Sequence, residues 1–240
     1  MDRKLNNKQI KNLKVVLRFR YVTTNNLAKY RGITNNSAYS ILEILRTNGY
    51  LGKIHDKTYR LLNKSARYYL TLKGLNYLQK EVMVDLDEAI WKSRRNDGKK
   101  STDFIDLQVA IQAAFNELET NLGKDFNIRA APEQYQFEGI IKPLPGLLAE
   151  PKSGKHFFVE IADNQHLFLV KKRIRKYIQN YEAREWEWEQ YPDVYIVRSS
   201  SASDRTRLRK YIEQQMENSY LDETDFTIRI ISKINQIKLI

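Results

Sequence analysis

No cysteine occurs anywhere in the 240 residues. That excludes disulfides, thiolate zinc sites, iron–sulfur clusters and cysteine nucleophiles together, and it fits a reducing compartment. Histidine is nearly as scarce. His55, His156 and His166 are the three, and no pair has the i,i+4 or HExxH spacing of a zinc-binding helix. Long apolar runs are missing too: none approaches the about 18 residues needed to span a bilayer. The opening MDRKLNNKQIKNLK lacks the apolar stretch of a secretory signal. No phosphate-cradling glycine motif occurs, so nothing supports nucleotide-driven activity. The expectation is a cytoplasmic protein with no membrane contact. Its length suffices for two domains, each with its own core. A hydrophobic content of 42% and an aromatic content of 11% are those of folded protein.

Acid is almost absent from the first third. Residues 1–80 hold 17 Lys and Arg against 3 Asp and Glu, whereas residues 81–240 hold 24 against 26. The formal net charge of +12 is therefore generated by one end of the chain. A basic excess concentrated on one small domain is the electrostatic footprint of a duplex-DNA binder, because neutralising phosphates releases condensed counterions.

That region has the pattern of a helix–turn–helix. Lys8 to Arg20 carries Ile10, Leu13, Val16 and Leu17 on one helical face. Thr23 and Thr24 read as an N-cap before a short helix, Asn25 to Tyr30, which Gly32 ends. Thr34 caps a third helix whose inner face is Ala38, Ile41, Leu42 and Leu45, and Gly49 ends it. An extended segment, Leu51 to Ile54, then turns at Asp56-Lys57, and Thr58 to Leu62 is expected to return as a strand. A further extended piece, Arg67 to Leu72, leads into a last helix anchored by Leu75 and Leu78. The phrase NGYLGKI…YRLL…YYLTLKGLNYL resembles winged-helix domains of bacterial and mobile-element regulators.

The outer face of the third helix presents Asn35, Asn36, Ser37, Tyr39, Ser40 and Glu43. Short polar side chains at a recognition-helix N-terminus reach base edges, and Asn pairs with adenine through two hydrogen bonds. Asn35 and Asn36 are equally suited to capping and turning. Arg46, Lys53, Lys57 and Arg60 read as phosphate contacts, since long cations position a domain without reading sequence. Residues 1–82 are thus expected to form a winged-helix DNA-binding domain. Residues 83–100, which include WKSRRNDGKK, read as a basic connector that either tethers or touches DNA backbone, with Trp91 pinning it to a domain.

Residues 101–240 read as a second domain: a long helix, strand candidates at 127–131, 147–149, 156–162, 195–197 and 226–231, and helices over 167–181 and 203–216. The fold class is α+β: a winged helix–turn–helix followed by an α/β domain with a mixed sheet. The order PLPGLLAE, KHFFVEIADN, RIRKYIQNY, DVYIVRSSSASDRTRLRKYI behind a winged helix is similar to the replication-relaxation family, which groups with relaxases. The resemblance implies a restriction-endonuclease-like, PD-(D/E)xK fold. In that fold two carboxylates on adjacent strands hold Mg²⁺ and a Lys assists attack on phosphate.

Carried over by position, the first acid falls on Gly146, the central acid on Glu160 and the Lys on Ala162, with Asp163 beside it. The basic helix is intact at Arg173, Arg175, Lys176 and Tyr177. Glu160, Glu150 and Asp163 are the candidates for catalysis, and Glu160 for metal. The alternative for Glu160 is an ion pair with Arg173 or Lys172, because a lone acid in an apolar strand is costly unless paired.

Three functions stay open. The first is a non-enzymatic binder of double-stranded DNA from a plasmid or other mobile element, acting in its replication, transfer or regulation. It needs no cofactor, and its degenerate nuclease-like domain forms a homodimer or recruits a relaxosome or replication protein. The second is a Mg²⁺-dependent relaxase or nuclease that nicks DNA. The third is a ligand-sensing transcriptional regulator.

Overall fold

The computed structural model describes residues 5–163, 165–222 and 224–237. The chain divides into two compact units, Met1–Asn116 and Glu117–Ile240.

The first unit begins with three helices, α1 (Asn7–Phe19), α2 (Thr24–Arg31) and α3 (Asn35–Thr47). Each starts at a side-chain cap. Asn6 and Gln9 form a capping box, Thr23 accepts from the Asn26 amide, and Thr34 accepts from the Ser37 amide. α2 stops at Gly32, whose left-handed φ of 62° suits a residue without Cβ. Leu13, Val16, Leu27, Ala38, Leu42 and Leu45 meet with no solvent exposure, as the 3.6-residue spacing requires. A two-stranded antiparallel sheet follows, β1 (Leu51–Ile54) and β2 (Arg67–Leu70), in the register Leu51 opposite Leu70 to Ile54 opposite Arg67.

Between those strands Thr58–Leu62 is not a returning strand. Residues Lys57–Leu61 form a short helix, α4, capped by Asp56, whose carboxylate accepts from the Tyr59 amide at 2.9 Å. One helical turn buries Tyr59 and leaves the pairing to Arg67–Leu70. Thr71 caps α5 (Leu72–Asn76), which runs into a π-helical turn, Tyr77–Glu81.

The basic stretch 83–100 is not a free connector. It contains α6 (Glu88–Arg94), and Ile90, Trp91, Arg94 and Asp97 are all buried. Asp97 accepts from Arg20 at 2.6 Å, its carbonyl accepts from the Tyr21 hydroxyl at 2.6 Å, and Arg94 donates to the Leu17 carbonyl at 3.2 Å. A buried ion pair anchored this way ties the segment to α1. The unit boundary lies inside the next helix, α7 (Thr102–Leu122), rather than at residue 100. On those bounds the first unit holds 22 Lys and Arg against 10 Asp and Glu, and the second 19 against 19. The entire +12 belongs to the first unit.

The second unit is built on a five-stranded mixed sheet. In chain order it has β3 (Phe126–Ala130), the single turn α8 (Ala131–Gln134), β4 (Leu147–Pro151), β5 (Phe157–Ile161), α9 (Leu167–Ala183), β6 (Asp193–Val197), α10 (Ala202–Asn218) and β7 (Ile228–Ile231). The strands lie side by side in that order. β3, β4 and β5 are an antiparallel meander, and β5, β6 and β7 are parallel through the crossovers α9 and α10. Alternate residues of one sheet face, Leu148, Phe158, Val194, Ile196, Ile228 and Ile230, pack with Val170, Ile174, Tyr177, Leu208 and Ile212 of the two helices. Trp188 joins that core, and Trp186 stacks on Tyr181 at 6.0 Å, so both tryptophans of WEWE serve packing.

Candidate nucleic-acid interface

α3 and the β1–α4–β2 wing frame a groove of about 730 Å³. Tyr39 and Arg46 enter it from α3, Lys53 and His55 from β1 and its end, and Arg60 from α4. Thr24, Ser65, Ala66 and Tyr68 complete the lining. Four sequence candidates therefore converge: Tyr39, Arg46, Lys53 and Arg60. Asn35, Asn36, Ser37 and Ser40 stand exposed on the first turns of α3, outside that lining. Ser37 is engaged in the cap, its hydroxyl 2.9 Å from that of Thr34. Lys57 is exposed on α4.

The hub of the groove is Glu43, an outward residue of α3 that a search for cations passes over. Its Oε1 accepts from Lys53 Nζ at 2.9 Å and from the Tyr68 hydroxyl at 2.7 Å, and its Oε2 accepts from Arg46 Nε at 2.8 Å. Burial raises the carboxyl's pKa, but the hydrogen bonds from Lys53, Tyr68 and Arg46 outweigh that and bring it down to about 2. Burial and the same carboxylate push the Tyr68 phenol above its ordinary range. One acid thus fixes two cations at a set spacing and ties α3 to β2. Its signal in the sequence is weak: a single Glu among 17 basic residues.

Below the wing, Tyr59 lies inside the unit with the Arg67 guanidinium 4.9 Å from its ring centre. Lys64 and Arg67 both bind Asp106, at 2.6 and 3.0 Å. Those two cations are structural, and Lys57 and Arg60 are left at the surface of α4.

The nuclease candidates of the second unit do not come together. Leu147 pairs with Val159 and Ala149 with Phe157. Glu160 lies just beyond one end of that pairing and Glu150 just beyond the other, about 13 Å apart along the strands at a rise of about 3.3 Å per residue. Glu150 binds Arg129 and accepts from Asn127 at 2.9 Å. Asp163 accepts the Ser199 amide in the loop after β5. Glu160 faces α9, where Oε1 accepts from Arg173 at 2.5 Å and from the Tyr177 hydroxyl at 2.5 Å. Burial opposes the charge of Arg173, but Tyr177 and Glu160 outweigh it and raise the guanidinium's pKa. Burial, then Glu160, raises that of Tyr177. The next position in the β4–β5 register beside Glu160 is Gly146, which is buried and has no side chain to offer a metal. Among the described residues no group of three His, Cys, Asp or Glu side chains could hold a metal ion.

No family model matches the chain, and no curated protein matches it. Among solved structures, the crystal structure of a MepR-like protein complexed with pseudoligands aligns with 49% of this chain and 76% of that chain, at 18% identity and a TM-score of 0.28.

Proposed function

We propose that the protein binds double-stranded DNA through its first unit, and that it does so without catalysis. The observation that carries this reading is the coincidence of charge and shape: all of the +12 lies on the unit in which α3 and a wing frame a cation-lined groove. In this reading the exposed first turns of α3, with Asn35, Asn36 and Ser40, face base edges in the major groove. Arg46, Lys53, Lys57 and Arg60 contact phosphates and set the register.

The resemblance to the replication-relaxation family extends the proposal to the replication, transfer or regulation of a mobile element. The helix, antiparallel meander, helix, parallel strand order of the second unit supports that extension. The engagement of Glu160 by Arg173 and Tyr177, opposite Gly146, supports a second unit without nuclease chemistry. Its role in this proposal is to form a homodimer or to hold a relaxosome or replication protein.

Fluorescence anisotropy of the full chain on a short duplex, titrated with salt, tests the reading. Binding whose log K falls linearly with log salt at a slope worth several phosphate contacts supports it. Absence of binding at low salt overturns it.

A further inference from the structure

The tip of the wing carries two large exposed apolar side chains. Leu61 is 75% exposed and Leu62 60% exposed, side by side at the end of α4. Neither is a casualty of poor packing. α4 is fixed by the Asp56 cap and by Tyr59, which is only 4% exposed and turned inward. Burying Tyr59 turns Lys57 and Leu61 outward on the far side of this one turn, and Leu62, the C-cap residue, is exposed at its end, with Arg60 beside them.

Between Lys53 and Lys73, Lys53 is held by Glu43, and Lys64 and Arg67 by Asp106, whereas Lys57 and Arg60 stand exposed on α4 beside the one acid of that stretch, Asp56. That acid's carboxylate is turned to the Tyr59 amide. Arg60, the residue before Leu61, lines the groove, while the two leucines lie outside that lining.

An apolar pair on a single helical turn, flanked by cations, matches a polyanion that has an apolar interior exposed at an edge. Stacked bases between two phosphate rails are that partner. Proteins that deform DNA from its minor groove insert Leu, Ile, Phe, Met or Pro between base steps, and flanking cations hold the rails. Resting on the DNA-binding reading above, we infer that Leu61 and Leu62 are a wedge. With α3 in the major groove, the wing tip enters the adjacent minor groove, the leucines unstack a base step, and the duplex bends away from the wing. Pyrimidine–purine steps such as TA unstack most readily, so the wedge selects them without a hydrogen bond to any base.

The test uses the full chain and a duplex labelled at its two ends with a donor and an acceptor fluorophore, with TA steps at its centre. Anisotropy reports binding and energy transfer reports bending. The expected result is that wild type shortens the end-to-end distance on binding. Leu61→Gln with Leu62→Gln binds about tenfold more weakly and leaves the duplex straight, and Leu61→Met with Leu62→Met retains the bend. Because both positions are exposed, the Gln pair keeps the fold, which its melting curve verifies.

Binding by wild type without a bend, or an equal bend with the Gln pair, overturns the wedge and leaves the DNA-binding reading standing. No binding by wild type overturns both. A Gln pair that changes only self-association, with bend and affinity as in wild type, overturns the wedge in favour of a contact between copies.

Discussion

Glu43 accepts a 2.7 Å hydrogen bond from the Tyr68 hydroxyl, which joins the middle of α3 to the second wing strand across the floor of the groove. The same carboxylate holds Lys53 and Arg46. An acid at the centre of the proposed DNA-binding surface weakens attraction to phosphate, so its effect on binding separates positioning from charge. Glu43→Gln removes the negative charge and loosens the two cations. Affinity for random duplex is expected to rise about threefold while preference for a cognate site falls, because phosphate attraction ignores geometry and base readout needs it. Competition binding on cognate and scrambled duplexes checks this. A parallel fall in both affinities contradicts it.

The same group gives a pH dependence. Its folded pKa, about 2, lies below the ordinary value of 4.5. The stability it contributes is therefore complete above about pH 5 and is lost as pH falls through 4.5 toward 2. Part of the side chain is exposed, so solvent screening reduces the contribution to about 1 kcal/mol. Denaturant melts at pH 7 and pH 3 are expected to show wild type losing about 0.6 kcal/mol more than Glu43→Gln, since the rest of the contribution is lost only below pH 3.

The exposed candidates on α3 and α4 are expected to divide by what they touch on DNA. Lys57→Ala and Arg60→Ala are each expected to lower the slope of log K against log salt by about 1, on any sequence, because each phosphate contact releases about one counterion. Asn36→Ala and Ser40→Ala are expected to leave that slope alone and to cost about 1–3 kcal/mol on the cognate site only. A salt titration of the four variants reads both quantities. Helix variants that change the slope while wing variants do not would reverse the assignment.

In the second unit Glu160 is expected to matter for folding rather than cleavage. The side chains of Glu160 and Arg173 are 15% and 13% exposed. Removing one partner of such a pair leaves the other charge buried, and Glu160→Gln is expected to destabilise the unit by about 3 kcal/mol. Supercoiled plasmid incubated with the wild-type protein and Mg²⁺ or Mn²⁺ is expected to stay supercoiled. Nicking by wild type that Glu160→Gln abolishes would reinstate the nuclease.

The helices were legible wherever an apolar period and a cap coincided: α1, α2 and α3 fall within a residue or two of their expected bounds. α9 and α10 were legible on the same grounds. α4 was not, because one helical turn has no period to read, and its cue, Asp56 three residues before Tyr59, is equally a turn signal. Residues 83–100 read as a tether because their composition is polar and basic. What fixes them is long-range: the Asp97 carboxylate meets Arg20, far away in sequence. The candidate site was legible as a list of cations and polar residues on α3. It was not legible as a groove, since Glu43 organises it through contacts with residues 3, 10 and 25 positions away. The pairing of Glu160 with Arg173 was one of two partners open in the sequence, and the helix register selects it over Lys172, which is exposed.

The most direct test of the central claim compares two charge-matched double variants of the full chain by salt-titrated anisotropy on one duplex. Arg46→Ala with Arg60→Ala removes two cations from the groove, and Lys172→Ala with Arg175→Ala removes two exposed cations from α9. The groove pair is predicted to lose at least about tenfold in affinity and about 2 units of salt slope, with the α9 pair close to wild type. Equal losses from the two pairs would contradict a DNA site confined to the first unit.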